Sequence, residues 1–184
     1  MAAKSAAGSA EGFWDEYNHS YVRSIGVPET DVHVAADALQ RTRNAYLWRW
    51  PVPESLEALA KLTAIGLPIG VVSNASGQIA EVLSRSRVCQ AGDGPHIRMR
   101  VVIDSHLVGV AKPDPAIFDH ALPFFEGIER HRIGYVGDSV TMDVAAARGA
   151  GLHPILVDPY DDHPDADFDR IRGLNELVDR YFVG

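Results

Sequence analysis

The stretch RIGYVGDSVTMDVAAARGAG, Arg132 to Gly151, decides the fold. Its apolar run from Ile133 to Val136 is bounded by turn residues and reads as a short buried strand. Gly137-Asp138-Ser139 ends that strand, and Val140 to Arg148 then carries Ala and Val at helical spacing. Asp138 is thereby placed at the carboxyl end of a buried strand, where open α/β sheets bind their ligands. Asp143 follows five residues on, in the first turn of the helix, and leans back over the same crevice. Two carboxylates over a strand end, beside a glycine that lets backbone approach, suit a hard cation such as magnesium. The same residues also suit a helix start in which Asp138 is the cap and Asp143 complements the dipole. The stretch alone leaves both readings open.

Working outward, the chain from Leu67 alternates strand and helix. Strands are predicted over Leu67–Val72, Arg100–Ile103, Ile133–Val136 and Pro154–Val157. Helices are predicted over Gln78–Ser84, Pro115–Phe125, Val140–Arg148 and Leu174–Phe182. That order implies an α/β fold with a mostly parallel sheet covered on both faces. Before it, Pro53 opens a helix from Glu54 to Ile65 that Gly66 stops. Further upstream, Phe13–Ile25 and Glu29–Trp48 read as two helices separated by Gly26-Val27-Pro28. Phe13, Tyr17, Tyr21 and Ile25 fall at four-residue steps on the first, and Val34, Ala38 and Tyr46 share one side of the second. Tyr46, Trp48 and Trp50 read as packing residues near a helix end, with the lining of a substrate pocket as the alternative.

Two further stretches bring chemistry to the sheet. IGVVSNASG, Ile69 to Gly77, is again a strand running into a turn and a helix. Ser73, Asn74 and the N–H groups of that helix start offer an anion site, with a plain N-cap as the alternative. VGVAKPDPAIF, Val108 to Phe118, holds Lys112 in a loop stiffened by Pro113 and Pro115. A lysine fixed at a strand-end crevice neutralises a phosphate as a compact point charge.

Composition bounds the remaining possibilities. A chain of 184 residues suits one domain, or a core with a small lid. The net charge of -8 argues against nucleic acid as a partner. No run approaches the ~18 apolar residues of a membrane span. Cys89 is the single cysteine, so a reduced, cytoplasmic setting fits, with Cys89 as a buried thiol. The histidines, His19, His33 and His96 among them, show no metal-ligand spacing.

The three chemical stretches arrive in order, each at the carboxyl end of a predicted strand. VVSNASG, GVAKPDPAIF and YVGDSVTMDVAAARGAGL resemble the second, third and fourth motifs of the haloacid dehalogenase (HAD) superfamily. The likeness runs from about Phe13 to the C-terminus and is nearest to members with a small helical cap. It implies a Rossmann-like three-layer parallel sheet over residues 53–184, a partial helical cap over 13–52 and a disordered tail over 1–12. It also implies a magnesium-dependent hydrolase, of phosphatase or dehalogenase type, and more often a phosphatase working on a small phosphorylated metabolite through an aspartyl-phosphate. By that resemblance Ser73 and Asn74 bind the phosphoryl group and Lys112 holds its charge and that of the nucleophile. Asp138 ligates Mg2+, and Asp143 supports the metal site.

One motif has no counterpart. Members of the superfamily begin with an apolar strand ending in DxDx(T/V), whose first Asp is the nucleophile. The opening MAAKSAAGSAEG has neither Asp nor strand. The D-x-D at Asp165-Ala166-Asp167, with Asp169 after it, follows His163-Pro164 and reads as a solvated acidic loop. Asp15-Glu16 lies on the first helix at the wrong spacing. The first central strand is therefore expected to be absent, which leaves two inner strand edges without partners. The expectation is a truncated hydrolase, inactive alone and prone to form a homodimer by borrowing a strand. The alternative is a non-catalytic phosphate- and magnesium-binding protein, or an interaction subunit.

Overall fold

The computed structural model describes residues 10–42 and 50–182, with side chains from residue 15 onward. The chain divides into two compact units, Met1–Leu47 and Trp48–Gly184.

In the first unit, α1 (Ala10–Ser24) and α2 (Val32–Thr42) pack on each other. α1 begins inside the stretch expected to be tail, with Ala10 to Gly12 already helical. Gly26, at φ +85°, makes the reversal after it. The buried residues lie outside the four-residue row read from the sequence. Val22, Val32 and Ala36 form the small core, and Asn18 is buried with them, its amide donating to Gln40 Oε1 at 2.9 Å. Tyr17 and Tyr21 instead stack on each other, and Ile25 and Val34 are exposed. A four-residue step marks several adjacent rows on one helix, and the row that is buried is the one its neighbour covers. Tyr46 and Trp48 lie outside the described residues, and Trp50 is exposed.

In the second unit, Pro53 is the first residue of α3 (Pro53–Ala64). The strands are β1 (Val71–Ser73), β2 (Cys89–Ala91), β3 (Ile97–Met99), β4 (Val102–Asp104), β5 (Gly134–Gly137), β6 (His153–Val157) and β7 (Asp169–Ile171). The helices between them are α4 (Ile79–Arg85), α5 (Ser105–Val108), α6 (Ala145–Gly149) and α7 (Leu174–Tyr181). β1 pairs with β4 (Val72↔Ile103), and β6 pairs with β5 (Val136↔Ile155) and β7 (Ile155↔Asp169), all in parallel. β2 and β3 form a separate parallel pair that the sequence reading left out. The acidic loop also ends sooner than expected, because Asp169 opens β7. Its carboxylate takes His153 of β6 and Tyr181 of α7, so this acid ties a helix to the sheet.

Helices clad both faces. On one, Ile117, Phe118, Ala146 and Ala147 pack under Val101 and Ile103. On the other, Ala58 and Leu62 of α3 join Leu177 and Val178 of α7 over Ile155 and Ile171. The helix expected over Pro115–Phe125 divides into two 3₁₀ segments, Pro115–His120 and Leu122–Phe125. Pro123 has no N–H for a continuous helical ladder.

The sheet is not continuous. Among the described residues no hydrogen-bonded ladder joins β1 to β5, so β1–β4 and β5–β6–β7 are two half-sheets. The apolar layer nevertheless crosses the seam, since Val72 on one side and Ile133 and Tyr135 on the other pack against the same cluster. Core and surface should respond accordingly. Ile117→Ala, at a fully buried site, is expected to lower the free energy of unfolding by about 2–5 kcal/mol. Val34→Ser should change it by less than about 0.5 kcal/mol. Urea denaturation of the two variants checks both.

Candidate active site

The carboxyl ends of β1 and β5 are tied together by Lys112. Its ammonium donates to Asp143 Oδ1 at 2.7 Å, to Tyr135 Oη at 2.7 Å and to the Val72 carbonyl at 3.3 Å. Both charged side chains are buried, Lys112 at 9% and Asp143 at 6% exposure. Val71 N–H donates to Val101 on the β4 side, so the Val72 carbonyl, one residue on, faces the seam. Among the described residues it has no strand to accept from there, and it takes Tyr135 O–H (2.9 Å) together with Lys112.

Asp143 reaches this point through a local change of helix. Residues Val140–Val144 form a π-turn, with Val144 N–H donating to Ser139 O at 3.1 Å beside the Asp143-to-Ser139 bond. The turn swings the Asp143 carboxylate back under the strand end. Its Oδ2 accepts from the N–H groups of Asp138 (3.0 Å) and Ser139 (2.9 Å), while Oδ1 takes Lys112 and lies 3.3 Å from Tyr135 Oη. Gly137 is required by this approach: a Cβ there would lie 2.3 Å from Asp143 Cβ and Cγ. The adjacent Lys112 loop is fixed just as closely. Asp114 caps the following 3₁₀ segment through Ala116 N–H, and a Cβ on Gly149 would lie 3.0 Å from Pro115.

The sequence-predicted residues take different places in this arrangement. Ser73 ends β1, half-buried, and its hydroxyl makes no hydrogen bond among the described residues. Asn74 turns its amide onto the backbone of Lys112, donating to Lys112 O (2.8 Å) and accepting from Lys112 N–H (2.9 Å). It clamps the lysine loop. Asp138 is exposed at the end of β5. Ser139 is the helix cap, accepting from Met142 N–H at 3.3 Å, so the capping alternative raised for Asp138 belongs to its neighbour.

The expected anion site at the start of α4 is filled from within. Gly77 and Ile79 N–H donate to Asp104, Ala75 N–H to Ser105 Oγ, and Ser76 N–H to Gln78 Oε1. The signal for this lay in Asp104-Ser105, a polar pair ending an apolar run, both of which are buried. Tyr135 was also missed, being counted into its strand. A tyrosine in a buried run needs a partner for its hydroxyl, and that requirement was the available clue.

For a divalent cation, the described residues bring one exposed carboxylate, Asp138, to the strand end. Asp143 already takes Lys112 and two backbone N–H groups, with Tyr135 Oη 3.3 Å from Oδ1, and no three His, Cys, Asp or Glu side chains converge among the described residues. Magnesium keeps several waters and uses one or two carboxylates with phosphate oxygens. Asp138 fits as one such ligand and does not make a site by itself. Burial raises the pKa of Tyr135, as does the negative charge of Asp143, and both keep the phenol protonated. Burial also pushes the Cys89 thiol up to about 11, consistent with an unreactive core cysteine.

A parallel sheet clad by helices, with a buried lysine–aspartate pair at its strand ends, defines a Rossmann-like α/β core. The sequence matches the haloacid dehalogenase-like hydrolases over residues 3–151, and the chain belongs to that family. It is 29% identical over 153 residues to haloacid dehalogenase-like hydrolase domain-containing protein 3 of Xenopus laevis, covering 82% of this chain and 59% of the relative. It is 32% identical over 157 residues to a phosphoserine phosphatase of Thermus thermophilus, covering 83% and 58%. It is 32% identical over 170 residues to a glyceraldehyde 3-phosphate phosphatase of Methanopyrus kandleri, covering 85% and 69%. The chain thus spans a little under three-fifths of the first two relatives. The fold is shared with the HAD-hydrolase YfnB of Bacillus subtilis (TM-score 0.66, 17% identity, 94% of this chain and 72% of that one). It is shared too with a HAD phosphatase of Thermococcus onnurineus (TM-score 0.62, 20% identity, 91% and 87%). No helix among the described residues is long and apolar enough to cross a membrane.

Two measurements test the site as built. Removing either member of the buried pair leaves the other without its countercharge, so Lys112→Met and Asp143→Leu should each cost about 3–5 kcal/mol, with the double variant recovering part of that loss. A denaturation cycle reads the coupling directly. The second is alkaline stability. An unfolded tyrosine releases its proton above about pH 10, whereas folded Tyr135 keeps it, so the stability tied to Tyr135 is full below that pH and declines above it. Tyr135→Phe is expected to flatten the fall of Tm above about pH 10.

Proposed function

We propose that this chain carries the phosphate-holding half of a magnesium-dependent phosphatase site. In the complete protein that site would act on a small phosphate ester through an aspartyl-phosphate. The observation that supports this most is the Lys112 ammonium, fixed in a buried position between two strand ends with Ser73 and exposed Asp138 at those same ends. A positive charge held there in advance stabilises charge that develops on a transferring phosphoryl group. Ser73 would supply a hydroxyl donor, and Asn74 would keep the lysine loop in register. Asp138 would hold the cation, which when bound neutralises phosphate charge. Asp143 would act through Lys112 and the Asp138–Ser139 backbone, with its oxygens already engaged.

The attacking carboxylate has no candidate among the described residues. We infer that it enters on a strand occupying the seam between β1 and β5, carried by a segment outside these 184 residues. The open seam side of β1 and the parallel strands flanking it support that reading. The names of two relatives, phosphoserine phosphatase and glyceraldehyde 3-phosphate phosphatase, favour phosphate esters over haloacids as the substrate class.

The 184-residue chain is expected to bind inorganic phosphate, to lose that binding in Lys112→Met, and to hydrolyse p-nitrophenyl phosphate with magnesium no faster than a blank. Magnesium-dependent phosphate release by this chain that disappears in Asp138→Asn would overturn the assignment of the nucleophile to an outside segment.

A further inference from the structure

An ammonium group has three N–H donors, and the Lys112 ammonium has three protein acceptors: Asp143 Oδ1, Tyr135 Oη and Val72 O. In this arrangement the lysine is complete without a ligand. An anion can take an N–H of Lys112 only if one acceptor yields. Asp143 is the least able to do so, since its carboxylate is charged and pinned by two backbone N–H groups. Val72 O makes the longest of the three contacts, 3.3 Å, and also takes the Tyr135 hydroxyl, so it competes least for the ammonium. Tyr135 is different. Its oxygen is a neutral acceptor, its hydrogen has its own acceptor in Val72 O at 2.9 Å, and its ring is fixed edge-on against Phe118 with centroids 4.7 Å apart. If the ammonium turns away, the phenol keeps its donated bond and its packing, and gives up one accepted bond.

We infer that Tyr135 is a positioning residue that occupies one N–H of Lys112 at rest and releases it to an incoming anion, so that the phenol competes with phosphate for the lysine. This rests on the anion-binding role proposed above for Lys112. The exchange breaks no covalent bond and moves no proton: a neutral oxygen leaves one N–H and a phosphate oxygen takes it. The ammonium's bond to the phenol is charge-assisted from the donor side alone, whereas a phosphate oxygen brings the opposite charge as well, and that Coulombic gain sets the direction of the exchange.

A purely structural tyrosine and a competing one predict opposite signs. Tyr135→Phe keeps the ring against Phe118 and removes the competing oxygen. Inorganic phosphate should then bind the full chain about three- to tenfold more tightly, the factor corresponding to one net hydrogen bond, even as Tm falls. Calorimetric titration of the unmodified chain, Tyr135→Phe and Lys112→Met supplies the comparison. In the unmodified chain carrying 13Cζ-labelled tyrosine, the Tyr135 resonance should shift with the same midpoint as phosphate saturation, a readout that needs no variant to fold. Equal or weaker binding by Tyr135→Phe, with binding still lost in Lys112→Met, would overturn the competition and leave the phosphate site standing. A silent Tyr135 resonance during Lys112-dependent binding would overturn it as well. Absence of phosphate binding in both the unmodified chain and Tyr135→Phe would remove the site and this inference together.

Discussion

The buried ion pair between Lys112 and Asp143 is the constraint on which the centre of this molecule depends. Two charges at 2.7 Å, each under one-tenth exposed, are tolerated only where every remaining donor and lone pair finds a partner. The surrounding sequence meets that condition group by group. The Asp138 and Ser139 N–H groups take one carboxylate oxygen, and Tyr135 and Val72 complete the ammonium. Gly137 is present because Asp143 lies where a side chain would be, and the π-turn at Val140–Val144 is what brings Asp143 there. Sequence, local helix geometry and electrostatics thus converge on one carboxylate.

The same pair also substitutes for missing backbone bonding. The two half-sheets share an apolar layer but no ladder, and hydrophobic contact alone does not set the register of one strand against another. Lys112 and Tyr135 supply directional contacts across the seam, both ending on the Val72 carbonyl. Asn74 then fixes the lysine loop to the end of β1 by a two-way amide contact. The groups proposed to hold phosphate are therefore also those that position the half-sheets, which explains why so few of them are exposed.

Much of this was legible in the sequence where the determining contacts are local. GDS followed by a helical Ala run placed Asp138 and Asp143 at a strand end because strand, glycine and helix start lie within twenty residues. The stiff KPDP loop did the same for Lys112. What escaped were partners distant in sequence. Tyr135 looked like one more residue of a buried strand, since the oxygen it binds is Val72 O, 63 residues away. Asn74 looked like a phosphate ligand because nothing nearby showed that the backbone of Lys112, 38 residues on, would take both of its amide groups. The helix start after Ser73 looked open for the same reason, with Asp104 arriving from the neighbouring strand. In α1 and α2 the periodicity marked the helices but not the row that is buried, because that row is chosen by the partner helix.

These distant partners change what the motif residues do. A lysine in a strand-end loop would by itself be a mobile surface charge, and its usefulness for binding phosphate would be reduced by the entropy of holding it still. Here that ordering has already occurred: the ammonium is fixed by Asp143 before any ligand arrives. The cost is that a fully satisfied ammonium is a poor binder, since an anion gains only the difference between itself and the acceptor it replaces. A pinned carboxylate would make that difference unfavourable, and the Val72 carbonyl, the longest contact at 3.3 Å, holds the ammonium least. A neutral phenol with an alternative acceptor for its own hydrogen is the one partner in the set that leaves the lysine both preorganised and exchangeable. Preorganisation and availability, which oppose each other for a buried charge, are reconciled at Tyr135.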